Sequence, residues 1–180
     1  MVAHLRADCY HRCMHPLIRT FAVLTAVLAV AACSPKFDWR DYRSSNAPYA
    51  VLFPGKPASH TRSVNLDGQT ASMTMAATDI DGTLFAVGSA ELADADKAQK
   101  AVQAMKAAMV RNVAAPTATE SIRDGGIDVE ARGASAGKPV MLHGRFVARG
   151  KRVYQIVVIG PENAVDKENV DTFLRSFKVN

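Results

Sequence analysis

Beyond position 33 this sequence has no cysteine; its three lie at positions 9, 13 and 33. No disulfide can form within residues 34–180, and thiol catalysis is excluded there. Histidine is sparse too, with only His60 and His143 after residue 33. A metal site would need the two to meet and to recruit carboxylates, so each reads as an isolated, exposed or half-buried strand histidine. Aromatic residues make up 7% of the chain and tryptophan occurs once. There is no internal repeat and no low-complexity tract. No nucleophile-elbow motif surrounds any serine.

The N-terminus carries the most specific pattern. Residues 1–16 are polar and contain Arg6 and Arg12, with Arg19 just beyond. Phe21–Ala32 then reads FAVLTAVLAVAA, twelve residues without charge. That is a positive n-region followed by an apolar h-region, and it falls short of the roughly 20 apolar residues of a spanning helix. The run ends Val30-Ala31-Ala32-Cys33, which resembles the bacterial lipobox. The resemblance implies cleavage before Cys33, a diacylglycerol on its thiol and an acyl chain such as palmitate on its amine. One acyl chain holds a protein only marginally, at ~0.8 kcal/mol per buried methylene, so several chains are needed for a firm anchor. Ser34 resembles an outer-membrane address under the enterobacterial sorting rule, with the inner membrane as the alternative. His4, Cys9, His11, Cys13 and His15 could suggest a metal site, but they precede the expected cut. Met14 is an alternative start that would leave out His4 to Cys13 altogether.

The expected organisation is a signal peptide over 1–32, a lipidated tether over 33–48 and a domain over 49–180, with Trp39 and Tyr42 of the tether packing back onto the domain rather than sitting at the membrane interface. Three of the 22 Lys+Arg and one of the 17 Asp+Glu lie within 1–32, so the remainder carries 19 against 16, a formal +3. That mild excess gives no nucleic-acid footprint. The remaining 148 residues can bury a sizeable core.

Turn signals divide this stretch. Tyr49–Phe53 is a short apolar strand before Pro54-Gly55. A weaker strand covers 59–64, Asp67-Gly68 marks a hairpin, and 70–78 alternates with Ala71, Met73, Met75 and Ala77 on one face. Asp81-Gly82 turns the chain into a strand over 84–90. Asp94 or Asp96 caps a helix to about Ala114, with Val102, Met105, Met109 and Val113 as its buried stripe. Strands over 117–122 and 127–132 flank Asp124-Gly125-Gly126, and 133–138 reads as a loop. Residues 140–149 place Val140, Leu142, Phe146 and Ala148 on one face, and Met141, His143, Arg145, Val147 and Arg149 on the other. After Gly150-Lys151 the run 153–159 is apolar on both faces, as a central covered strand should be. Gly160-Pro161 ends that strand. A last helix spans about 165–177, with Val170, Phe173, Leu174 and Phe177 inward.

The fold class is therefore α+β, a mostly antiparallel sheet flanked by helices. The segments APYAVLFPGKP, RFVARGKRVYQIVVIGP and VDTFLRSFKVN, within residues 47–180, resemble the PsbP-like family. That family includes an extrinsic photosystem II protein, a eukaryotic nuclear-import factor and bacterial lipoproteins of unknown role. The resemblance implies an α/β/α sandwich and carries no catalytic group; a shared fold does not set function.

Asp79-Ile80-Asp81-Gly82-Thr83-Leu84 resembles the first motif of haloacid-dehalogenase-type phosphatases, in which the first Asp attacks phosphorus beside Mg²⁺. Here only 96 residues follow Leu84, and no downstream Gly-Asp motif occurs. An Asp-Gly turn between strands explains the same residues. Arg145, Arg149, Lys151 and Arg152 cluster at one hairpin, either as a patch for an anionic partner or as a solvated hairpin tip. The methionines read as core filler. No cofactor is expected. The expected function is a non-enzymatic interaction module, anchored in the cell envelope through Cys33 with an envelope protein as partner. The alternative is a small-ligand-binding domain using a cleft between sheet and helix; a remote one is a Mg²⁺-dependent phosphatase through Asp79 and Asp81.

Overall fold

The computed structural model describes residues 36–180. Cys33, the expected signal peptide and the upstream Cys/His cluster lie outside the described residues. Phe37–Asn180 forms one compact unit. It contains β1 (Arg40–Arg43), β2 (Tyr49–Phe53), β3 (Ala58–Leu66), β4 (Gln69–Ile80), β5 (Thr83–Glu91), α1 (Ala95–Asn112), β6 (Ala118–Arg123), β7 (Gly126–Ser135), β8 (Lys138–Arg149), β9 (Arg152–Pro161), α2 (Lys167–Ser176) and β10 (Lys178–Val179).

Seven strands form one antiparallel sheet in the order β3-β4-β5-β9-β8-β7-β6. Its hairpins follow from local turn chemistry. Asp67-Gly68, Asp81-Gly82 and Asp124-Gly125 each hold positive φ at both positions, as two-residue turns matched to the strand twist require. Asn65 and Asp79 brace two of these turns, accepting the N–H of Gly68 and of Gly82 at 2.9 Å each. β9 occupies the middle of the sheet, and Val153 to Val158 are all buried, as the doubly apolar run predicts.

Each face carries its own core. On one side α1 covers Ala71, Met73, Ala86, Leu142, Phe146, Val153 and Val157. Asp94 caps this helix, its carboxylate accepting the Lys97 N–H at 2.8 Å, and Ala98, Ala101, Val102 and Met105 face inward. On the other side α2 and a small sheet, β1-β2-β10, cover Phe85, Val87, Tyr154, Ile156 and Val158. Nine of the ten described aromatic residues belong to this second core. Phe173 of α2 sits at its centre, 5.3 Å from the Phe53 ring and 5.4 Å from that of Phe85. Each fully buried side chain of this size contributes about 1.5–3 kcal/mol of transfer free energy.

Three expectations are corrected. Part of the 33–48 tether belongs to the compact unit: Trp39 and Tyr42 pack on the second core as expected and Phe37 joins them, but residues 40–43 form a strand, β1, that pairs with β2 from Arg40↔Phe53 to Arg43↔Ala50. Four residues are too few to show alternation, so only the partner strand defines β1. Residues 133–135 continue β7 rather than forming a loop, and the turn is Ala136-Gly137. Gly133 reads locally as a breaker, yet it is glycine because the end of α1 crosses it. A Cβ there would lie 1.8 Å from the Val113 carbonyl oxygen, which instead accepts the Ala134 N–H at 2.7 Å. Finally, β9 runs through Gly160 and Pro161, which pair with Met141 and Val140.

Candidate functional site

The second face of the large sheet changes character between β9 and β8. Register places Asp128 opposite Arg145 and Glu130 opposite His143, while β6 adds Ser121 opposite Asp128 and Thr119 opposite Glu130. Directly opposed residues share a face, so these side chains form two polar rows across β6, β7 and β8. On β9 the same rows continue as Val158 and Ile156, both buried. α2 stands along this boundary. Val170 packs on the apolar half, and Lys167, Asp171 and Arg175 look over the polar half.

The result is a cleft of about 200 Å³ between sheet and helix. Arg145 is the least exposed of its cations. Its Nε donates to Asp128 Oδ1 at 2.8 Å and its Nη2 to Oδ2 at 3.4 Å, with 13% of the side chain exposed. Arg123 Nε approaches the same carboxylate at 3.5 Å. His143 lies deeper than an ordinary surface histidine, with its Nδ1 3.8 Å from Glu130 Oε2 and 16% of its side chain exposed. Burial lowers its pKa from 6.5, the Glu130 and Asp171 carboxylates oppose that shift, and Lys167 adds to it. The cleft therefore offers paired charges of both signs, two hydroxyls and a neutral imidazole. It can orient a polar or zwitterionic group, and its near-balanced charge selects neither sign strongly.

The hairpin cations separate in space. Arg145 turns into the cleft. Arg149 donates to the Asp124 carbonyl oxygen at 2.6 Å, Arg152 pairs with Glu91, and Lys151 is exposed in the turn. Asp79 and Asp81 lie on the β4–β5 hairpin, between antiparallel strands, where the phosphatase motif would end a parallel one. Among the described residues no group of three or more His, Asp or Glu side chains is placed to hold a metal ion. His60 is exposed on the edge strand β3, far in register from His143.

The sequence reading singled out Arg145 as part of the hairpin patch and His143 as an isolated strand histidine, and missed their meeting with Thr119, Ser121, Asp128, Glu130, Lys167 and Asp171. The signal was the alternation of β7, in which Asp128, Glu130 and Arg132 share one parity against Ile127, Val129 and Ala131. Comparison with protein-family models and with curated proteins finds no match to this chain.

Proposed function

We propose that this chain is a bacterial lipoprotein, anchored through Cys33 and facing the periplasm, whose PsbP-like domain works as a non-enzymatic interaction module in the cell envelope. The observation that carries the reading is the sequence Val30-Ala31-Ala32-Cys33 directly after a twelve-residue uncharged run. The layered arrangement supports the PsbP-like assignment: an antiparallel sheet with α1 on one face and α2 on the other. An interaction role is supported by the open polar half of the sheet face and by the neighbouring edge strand β6, where Ile122 is 85% exposed. The outer membrane is the proposed location, from Ser34. Growth of the host with a radioactive fatty acid tests the anchor: the wild-type protein takes up label and Cys33→Ala does not. An unlabelled wild-type protein refutes it. Crosslinking in the native envelope then identifies the partner.

A second reading is favoured by the cleft itself, in which a small polar ligand would lie between β6–β8 and α2. Native mass spectrometry of protein purified from its host separates the two. A stoichiometric small molecule that is lost in Arg145→Ala supports ligand binding; a bare chain supports the interaction module.

A further inference from the structure

Three residues, 34–36, separate Cys33 from Phe37, the first residue of the compact unit. Fully extended, four Cα–Cα steps reach at most about 13–14 Å. The headgroup layer on one side of a bilayer is itself about 5–8 Å deep. The seven-stranded sheet is roughly 29 Å across between its outer strands. A leash that short cannot let the unit tumble freely above a membrane; the surface around Phe37 must stay beside it.

That surface is well defined. The Asp38 N–H donates to the Pro54 carbonyl oxygen at 3.0 Å, fixing residues 37–39 against the end of β2. Phe37 stacks on Trp39 with centroids 6.0 Å apart, and both rings meet the Phe85 edge, at 6.4 and 6.5 Å. Gly55 sits against Ile80, the residue before the Asp81-Gly82 turn, and against Thr78, and the next residue, Lys56, is exposed. Phe37 and Trp39 are both only partly buried. Tryptophan favours the headgroup level, where its ring is half in apolar surroundings and half in polar ones. The opposite end of the strands is remote. The Leu92 N–H donates to the Lys151 carbonyl oxygen, seven residues along β5 from Phe85, or about 23 Å.

We propose that the end of the unit bearing Phe37, Trp39, Lys56 and the Asp81-Gly82 turn lies against the phospholipid headgroups of the membrane that holds the Cys33 acyl chains; this rests on the lipoprotein reading. The partner is the bilayer surface, and Trp39 is the group at its boundary.

Trp39 is the only tryptophan in the chain, so the protein carries its own probe. The full lipidated protein is reconstituted into phosphatidylethanolamine–phosphatidylglycerol vesicles with and without a nitroxide-labelled headgroup. The nitroxide lipid should remove most of the Trp39 emission. In the double variant Trp39→Phe, Lys151→Trp, the new fluorophore should keep its emission. An unquenched Trp39, or equal quenching at the two positions, overturns the proposed orientation. Flotation and intact mass of the same sample are read first. A protein that carries no acyl chain and stays below the vesicles takes the lipoprotein reading down with the orientation, whereas an acylated, floating protein with an unquenched Trp39 refutes the orientation alone.

Discussion

Replacing Gly133 by alanine adds one methyl group, which would lie 1.8 Å from the Val113 carbonyl oxygen, 2.8 Å from its carbonyl carbon and 3.0 Å from the Ala115 nitrogen. All three are backbone atoms, so no side-chain rotation relieves the overlap. Strand β7 and the end of α1 must separate. Their separation breaks the bond from the Ala134 N–H to the Val113 oxygen, now 2.7 Å long. Ala134 is exposed, so water reaches the freed N–H and the lost bond costs about 0.5–1.5 kcal/mol, while overpacking adds typically about 1–3 kcal/mol. The expected loss is about 3 kcal/mol, the sum of the two ranges at their middle. Gly137→Ala is the control: its φ is +77°, yet nothing lies within 4 Å of the added methyl. Only the left-handed backbone penalty applies there, about 1 kcal/mol. Urea unfolding of the mature chain with Cys33→Ala, followed by circular dichroism, measures both. At roughly 2–4 °C per kcal/mol for a domain of this size, Gly133→Ala should melt about 6–12 °C lower. Equal losses of about 1 kcal/mol in the two variants would mean that α1 does not cross β7 as described.

Further outcomes follow from single side chains. The Tyr154 hydroxyl is buried and has no hydrogen-bond partner among the described residues, so Tyr154→Phe should leave stability unchanged or raise it by about 1 kcal/mol; a loss of that size contradicts the assigned surroundings. Asp94→Ala removes the cap on α1 and should cost about 1 kcal/mol in urea midpoint times slope, while Asp96→Ala, one turn residue further in, should cost less. His143 has its pKa lowered in the folded state, so the unfolded chain binds the proton more readily. Its contribution is fully present above its ordinary value of 6.5 and is lost as the pH falls below it. Thermal melts from pH 7 to pH 5 should therefore show falling stability, and His143→Gln should flatten that slope; an unchanged slope in the variant assigns the effect elsewhere.

Much of the fold was legible because its signals are local. The Asp-Gly turns mark the hairpins through positive φ, and the alternation over 70–78 placed Ala71, Met73, Met75 and Ala77 on the α1 face. The spacing of Val102 and Met105, and of Val170 and Phe173, located the inward faces of both helices. Strands β1 and β10 were not legible, since segments of four and two residues take their conformation from pairing with β2. The cleft was only half legible. His143 and Arg145 share a strand, but Glu130 and Asp128 come beside them through register, and Lys167 and Asp171 through the docking of α2.

By itself the amino-acid sequence determined the order of β2 to β9 and of the two helices, the apolar stripe of each helix, the absence of any thiol after Cys33 and the pattern that points to lipidation. These depend on neighbours within a few positions, where backbone sterics and hydrophobic period act directly. Only the tertiary structure decided that residues 40–43 pair as a strand with β2, that the end of α1 requires glycine at 133, and that one sheet face is half apolar and half charged. Each of these depends on atoms far apart in the chain meeting at a distance that no local rule sets, and close packing lets only certain residues stand there.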